Sequence, residues 1–176
     1  MIEEFMLAAN ETVAKKFYDL KIPFVYRIHD YPRIEKLEIF DRIAKNYGFD
    51  INLSGEKKVE PKEIQQFLED NKDKPARYSN VCTMHFGLAS NYYCHFTSPI
   101  RRYPDLQIHR IIKKSLHGEI NVVTKAKYEK ITEEIAEHCS KTERNAEQAE
   151  RELVRSKMYE YILENKNVTY EASIKS

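Results

Sequence analysis

The longest uninterrupted pattern in the sequence runs from about residue 125 to residue 165 and predicts a single long helix. Apolar or small side chains recur there at steps of three or four, opposite a side where charges of both signs alternate. The apolar side consists of Tyr128, Ile131, Ile135, Cys139, Thr142, Ala146, Ala149 and Leu153. We expect a long helix that braces the rest of the fold.

The other periodic segments are also mainly helical. A helix is predicted from about residue 2 to 19, and a second from Pro104 towards Gly118. The first helix has an apolar stripe that we expect to lie in the core: Ile2, Phe5, Met6, Ala9, Val13 and Phe17. A smaller pair is predicted at 34–47 and from Pro61 onwards. Strand patterns are confined to 24–28 and 168–174, so the predicted fold class is α+β and predominantly helical.

The composition suits a soluble domain rather than a membrane protein. A length of 176 residues is enough for one domain core, and 41% apolar with 32% charged residues is typical of a soluble protein. No stretch approaches the roughly 18 to 20 apolar residues of a transmembrane helix, and the start lacks the basic-then-apolar order of a signal peptide. Three cysteines without a disulfide spacing fit reduced thiols. We expect a cytoplasmic protein with no membrane partner.

The segment from His95 to Asp105 is the strongest candidate for a functional site. Arg101 and Arg102 follow a Ser-Pro turn, and the guanidinium fork matches phosphate oxygens. Ser98 can cap this turn, where backbone N–H groups favour an anion. Aromatic ring faces on which bases could stack are offered by Tyr92, Tyr93, Phe96 and Tyr103. This pattern predicts a contact with a nucleic-acid backbone.

The local charge supports that interpretation, but one alternative stays open. Between Ser98 and His117 five arginine or lysine residues accompany a single acid, for a balance of +4, whereas the whole chain carries +1. The alternative is that Arg101 or Arg102 pairs with Asp105 as a structural ion pair at the start of a helix.

The same segment resembles a known family. His85-Phe86-Gly87-Leu88, followed by residues 93–105 and by His109-Arg110, closely resembles the ribonuclease R/ribonuclease II family, in the second half of its catalytic RNB domain. Further stretches that match in the expected order are 2–10, 26–30 and 143–151. The last of these is similar to the family's long closing helix.

The resemblance implies a processive, metal-dependent hydrolase that removes nucleotides from the 3′ end of single-stranded RNA and releases 5′-monophosphates. It also implies a domain organisation: residues 1–166 would be the C-terminal part of the RNB domain, and 167–176 the truncated first strand of an S1-type RNA-binding barrel. The chain would then be a fragment at both ends. Its implied partners are single-stranded RNA, the N-terminal part of the RNB domain and flanking RNA-binding domains.

Two departures from the family pattern affect these expectations. The family holds its Mg²⁺ with aspartates in a Gly-x-x-Ala-x-Asp-x-Asp-Asp-Ala type motif that lies upstream of this chain, whose seven aspartates are scattered. We therefore expect Mg²⁺ in the complete enzyme and assign no metal ligand here. In addition, a family helix is absent at the junction of residues 73–76. Either a genuine deletion or a stretch left out of the sequence would give that junction.

The resemblance also assigns catalytic roles. Arg101 matches the family arginine that faces the scissile phosphate, where a fixed guanidinium would neutralise developing charge. Glu3 matches a glutamate near the scissile end of the RNA. The dipole of a helix also favours acids such as Glu3 and Glu4 in its first turn, so the alternative is that both are simply solvated. Which of the two glutamates is the site acid also stays open.

Further RNA contacts are expected at five positions: Ser98, Arg102, Tyr103, His95 and Glu150. Arg102 would be a secondary phosphate contact or a structural residue. The alternative for His95 is a structural histidine with its hydrogen bonds satisfied, and for Glu150 an ordinary i,i+4 salt bridge.

Two other functional classes compete with the ribonuclease interpretation, a zinc-stabilised binding module and a non-catalytic half-domain. Cys82-x2-His85 with Cys94-His95 superficially offers four zinc ligands, but adjacent residues rarely both reach one tetrahedral ion. The stronger rival is a non-catalytic RNA-binding or scaffold half-domain, which retains Arg101 and lacks the aspartates that bind metal.

Overall fold

The computed structural model describes residues 2–30, 75–166 and 168–169, and it is mostly helical. The elements in chain order are α1 (Ile2–Asp19), β1 (Tyr26–Ile28), β2 (Arg77–Ser79), a 3-10 helix (Phe86–Leu88), α2 (Tyr103–Leu116) and α3 (Val122–Glu164). All three long helices lie within a few residues of their predicted bounds, and α3 has 43 residues. The predicted α+β, predominantly helical fold class is confirmed. The helices expected at 34–47 and from Pro61, and the strand expected at 168–174 beyond residue 169, lie outside the described residues.

The chain divides into two compact units, Met1–Ser140 and Lys141–Ser176, with the boundary inside α3. The first unit contains the core and the arginine-containing segment. In the second unit every residue of α3 from 141 to 164 is exposed, including Leu153 of the predicted apolar side. Within the described part of the chain, no helix has both the length and the apolar character needed to cross a membrane.

Helix α1 ends in a Schellman motif. The Ile22 N–H donates to the Phe17 carbonyl at 3.2 Å, and the Lys21 N–H donates to the Tyr18 carbonyl at 3.0 Å. Lys21 takes the left-handed conformation that this motif requires, with φ at 51°, although it is not a glycine. Pro23 follows immediately and prevents the helix from continuing.

Only the second half of the α1 stripe lies in the core. The prediction is wrong for Ile2, Phe5 and Met6, which are 79%, 70% and 37% exposed. The buried positions of α1 are Asn10, Ala14 and Phe17. Periodicity identifies which face of a helix is apolar, but whether a neighbouring element covers that face is decided by tertiary structure.

A two-stranded antiparallel sheet lies beside α1. Tyr26 of β1 pairs with Ser79 of β2, and Ile28 pairs with Arg77. The Phe24 ring, just before β1, stacks on a phenylalanine of α1 with centroids 4.6 Å apart. The core that joins these elements to α2 and α3 includes Phe24, Val25, Tyr26, Ile28, Cys94, Ile108, Ile111, Ala136 and Cys139.

Candidate active site

A tight turn at residues 98–102 carries the two arginines into helix α2. The Ser98 carbonyl accepts the N–H groups of Arg101 at 3.3 Å and of Arg102 at 3.1 Å. Pro104 occupies the first turn of α2, where backbone N–H groups have no intrahelical acceptor, so a proline costs no hydrogen bond. Ile100 at the apex is fully exposed. The backbone therefore presents residues 100 and 101 to solvent.

The two arginines have different surroundings. The Arg102 guanidinium forms a fork with Asp105: Nε lies 3.0 Å from Oδ2, and Nη2 lies 2.9 Å from Oδ1. The Asp105 side chain is completely buried. Arg101 is exposed and makes no side-chain hydrogen bond or ion pair with the described residues. The structural ion pair left open by the sequence is therefore made by Arg102, and Arg101 is available for a ligand.

One backbone donor of the turn, the Ser98 N–H, is already used inside the protein. The Ser98 N–H donates to Oδ1 of Asp105 at 2.9 Å, so it cannot also point at a bound anion. Arg102 occupies the N-cap position of α2, and its side chain makes no capping hydrogen bond. Ser98 therefore does not cap the helix. What it can still offer a ligand is its hydroxyl group.

Most of the predicted stacking rings are used inside the protein. Tyr93 is buried, and the Phe96 ring stacks on His109 with centroids 4.5 Å apart and planes 8° from parallel. His109 Nε2 also lies 2.9 Å from the Phe96 carbonyl oxygen. Tyr92 is half-buried against a tyrosine of α1. Tyr103 is the predicted ring with a largely open face, because its side chain is 51% exposed.

His95 is a neutral residue in a positively charged environment. Its Nδ1 atom lies 3.0 Å from the Tyr78 hydroxyl oxygen. Burial, and to a smaller extent the positive charges of Arg102 and Arg27 with contributions from His85 and Arg101, lower the pKa of His95 to about 3. The structural alternative for this histidine is therefore well supported by its hydrogen bond. The same charges favour an anion near this segment.

Asn10 attaches helix α1 to the segment that precedes the turn. Its Nδ2 atom donates to the Tyr93 hydroxyl at 3.1 Å, and its Oδ1 atom accepts the Phe96 N–H at 3.0 Å. The Cys94 thiol donates to the Asn10 carbonyl at 3.3 Å. Asn10 was not among the residues predicted from the sequence, although a polar side chain on the same face as Ala14 was a usable signal.

The remaining predicted residues are not brought to the turn by any described contact. Glu3 and Glu4 occupy the exposed first turn of α1. Glu150 lies exposed in the second unit, where the i,i+4 ion pair is formed by Arg151 and Glu147 instead.

The described residues do not fit a metal site. They contain no group of three or more His, Cys, Asp or Glu placed to hold an ion. The Cys82 thiol donates to the Asn91 carbonyl at 3.7 Å, and burial raises its pKa to about 11. Burial also raises the pKa of the Cys94 thiol. The candidate ligands Cys82, His85, Cys94 and His95 are all described and do not form such a group, so the geometry argues against the zinc interpretation.

The chain is similar in sequence to known ribonucleases. The family model described as the RNB domain matches residues 1–118. Ribonuclease R 1 of Lactococcus lactis is 41% identical over 191 aligned positions, which cover 100% of this chain and 23% of that protein. Since this chain has 176 residues, the relative has at least 15 positions that this chain lacks. Ribonuclease R of Thermotoga maritima is 44% identical over 92% of this chain and 25% of its own length.

Solved structures agree with the sequence comparison. Mycoplasma genitalium RNase R in complex with ribose-methylated single-stranded RNA has a TM-score of 0.69 and 33% identity, over 86% of this chain and 26% of that one. The same enzyme in complex with double-stranded RNA has a TM-score of 0.66. Yeast Ssd1, described as a pseudonuclease, shares the fold at 24% identity and a TM-score of 0.56. The chain spans about a quarter of the length of the curated relatives that it matches. Its sequence and fold make it a member of the RNB-domain family.

Proposed function

We propose that this chain is part of a processive 3′-to-5′ exoribonuclease that hydrolyses single-stranded RNA to 5′-monophosphates, with Arg101 at the scissile phosphate. The observation that carries the proposal is the contrast between the two arginines. Arg102 is held by Asp105, whereas Arg101 is exposed and has no partner among the described residues. The names of the relatives and the RNA bound to the M. genitalium enzyme support ribonuclease chemistry.

In the proposed reaction, water attacks the phosphorus that joins the last two nucleotides at the 3′ end. A bond forms from the water oxygen to phosphorus, and the bond from phosphorus to the 3′ oxygen breaks. That oxygen takes a proton, which leaves a shortened RNA and a free 5′-monophosphate. Arg101 would donate hydrogen bonds to the non-bridging oxygens and stabilise their charge in the transition state. Glu3 is proposed to lie near the scissile end.

Further RNA contacts are proposed for Ser98, Arg102, Tyr103, His95 and Glu150. Since its N–H is occupied, Ser98 would act through its hydroxyl. Tyr103 would stack on a base with its exposed ring. Arg102 would contribute positive potential, and the neutral His95 would help to fix the backbone of this segment through its hydrogen bond with the Tyr78 hydroxyl.

The proposal also extends to the complete enzyme. Residues 1–166 are assigned to the C-terminal part of the RNB domain, and 167–176 to the start of an S1-type domain. Mg²⁺ would supply further stabilisation of phosphate charge, held by aspartates outside this chain, because the described residues contain no fitting ligand group. The N-terminal part of the RNB domain and flanking RNA-binding domains are the proposed partners. Cys82 and Cys94, which form no disulfide with the described residues, support a cytoplasmic location.

The test is the rate of cleavage by the complete enzyme with and without Arg101. A single-stranded RNA labelled at its 5′ end should shorten stepwise from the 3′ end, with 5′-monophosphates as product. Arg101→Ala should lower kcat by roughly 10² to 10³, or about 3 to 4 kcal/mol of transition-state stabilisation. Arg101→Lys should also be slow, because an ammonium lacks the guanidinium fork. Arg155→Ala removes an exposed arginine outside the basic segment at 98–117 and serves as the matched control.

A second function is a non-catalytic RNA-binding or scaffold protein. The shared fold of Ssd1, whose description is that of a pseudonuclease, favours keeping this candidate. It predicts that the complete protein binds single-stranded RNA with Mg²⁺ present and releases no nucleotide. Stepwise shortening that Arg101→Ala leaves unchanged would instead refute the role assigned to that residue.

A further inference from the structure

The buried carboxylate of Asp105 lies at the base of the turn that carries Arg101. Its side chain is completely inaccessible to solvent, and a buried charge requires close partners. Oδ1 accepts the Ser98 N–H at 2.9 Å and Arg102 Nη2 at 2.9 Å, while Oδ2 accepts Arg102 Nε at 3.0 Å. One carboxylate thus binds both the first and the last residue of the turn.

The backbone of the turn is fixed by the same residues. The Ser98 carbonyl accepts the N–H groups of Arg101 and Arg102, and the Ser98 N–H donates to Asp105. Both backbone polar groups of Ser98 are therefore engaged. Arg101 is exposed, and no side-chain hydrogen bond or ion pair with a described residue restrains its guanidinium. The direction in which its side chain leaves the protein is consequently set by the backbone at residues 98–102.

We propose that Asp105 is a positioning residue that fixes the direction of Arg101 at the scissile phosphate. This inference rests on the proposed function, in which Arg101 contacts that phosphate. Asp105 would act entirely through the turn, because its own oxygens are occupied by Arg102 and Ser98. The effect of removing it should therefore fall on the chemical step, and the affinity for RNA should change little.

The substitution Asp105→Asn keeps the shape of the side chain but weakens the fork, because an amide N–H₂ group then faces the Arg102 guanidinium. A displacement of a catalytic group by about 1 Å can lower a rate by about 10²-fold. We expect Asp105→Asn to lower kcat of the complete enzyme by about 10- to 100-fold, with KM changed by less than about threefold.

The deciding measurement is a double-mutant cycle in the complete enzyme. The kcat of Asp105→Asn is measured alone and in combination with Arg101→Ala. Glu119→Gln is the control, because it neutralises an exposed carboxylate paired with Lys114. If Asp105 acts through Arg101, then Asp105→Asn should lower kcat less than about twofold once Arg101 is alanine. Glu119→Gln should leave kcat unchanged in both backgrounds.

Each outcome has a distinct meaning. If Arg101→Ala slows cleavage and Asp105→Asn slows both backgrounds by the same factor, the positioning role is refuted while the proposed function stands. If Arg101→Ala does not slow cleavage, both are refuted. If Asp105→Asn fails to fold, Arg102→Lys takes its place in the cycle, since lysine keeps the charge but loses the fork. Equal slowing by Arg102→Lys in both backgrounds would then refute the positioning role.

Discussion

Asn10 gives the sharpest prediction about stability, because its buried amide joins helix α1 to the chain 83 to 86 residues later. The perturbation is Asn10→Ala. It removes two neutral hydrogen bonds, each contributing about 1 kcal/mol, and leaves the buried Tyr93 hydroxyl unpaired, which costs about 1 kcal/mol more. Alanine recovers roughly 0.6 kcal/mol through its higher helix propensity. The free energy of unfolding should therefore fall by about 2.5 kcal/mol.

The assay is urea unfolding followed by tyrosine fluorescence, since the protein has 12 tyrosines and no tryptophan. With a slope near 2 kcal/mol per M, the urea midpoint should fall by about 1 M. Asn145→Ala is the matched control, because this asparagine is exposed on α3 and alanine should only raise stability there, by roughly 0.6 kcal/mol through its helix propensity. Tyr93→Phe deletes the hydroxyl partner alone and should lose about 1 kcal/mol. A midpoint for Asn10→Ala equal to that of Asn145→Ala would refute the reasoning.

Two further predictions concern pH and backbone strain. Burial lowers the pKa of His85 to about 4 and that of His95 to about 3, while each is ordinarily 6.5, so the unfolded chain binds protons first as pH falls. Between pH 6.5 and 4.5 the free energy of unfolding should therefore decrease, by up to about 1.4 kcal/mol per pH unit for each histidine. The urea midpoint of His95→Gln should depend less steeply on pH, whereas that of the exposed control His117→Gln should keep the full dependence. Equal slopes of midpoint against pH for the two variants would contradict the prediction. Lys21→Gly should raise the free energy of unfolding by about 0.5 kcal/mol, because glycine accepts the left-handed φ of 51° without strain, and a lower melting temperature would count against it.

The helices were predictable because their signals are local. The spacing of apolar residues, together with Pro104 at the start of α2, gives bounds for α1 and α2 that agree with the structure within a few residues. Burial was less predictable. Phe5 and Phe17 belong to the same stripe, yet the first is 70% exposed and the second 6%, because only the end of α1 near Phe17 packs against Phe24.

Features that depend on distant parts of the chain were not predicted. Strand β2 has three residues, and its partner strand begins about 50 positions earlier, so no local alternation identifies it. Within the candidate site, the sequence offered Asp105 as a partner for either Arg101 or Arg102. The choice depends on the direction of the helix at Asp105, which brings its carboxylate against Arg102 and the Ser98 N–H. Residue spacing alone does not contain that information.

The link between Asn10 and residues 93–96 also sets the order in which this protein can fold during synthesis. A ribosome adds about 5 to 20 residues per second, so roughly 4 to 17 seconds separate the synthesis of Asn10 from that of Tyr93, 83 residues later. A protein helix such as α1 gains most of its stability from tertiary packing rather than from its own helix propensity. Until the later segment emerges, the Asn10 side chain has neither the Tyr93 hydroxyl nor the Phe96 N–H as a partner, so this link cannot stabilise α1 before residue 96 has been synthesised.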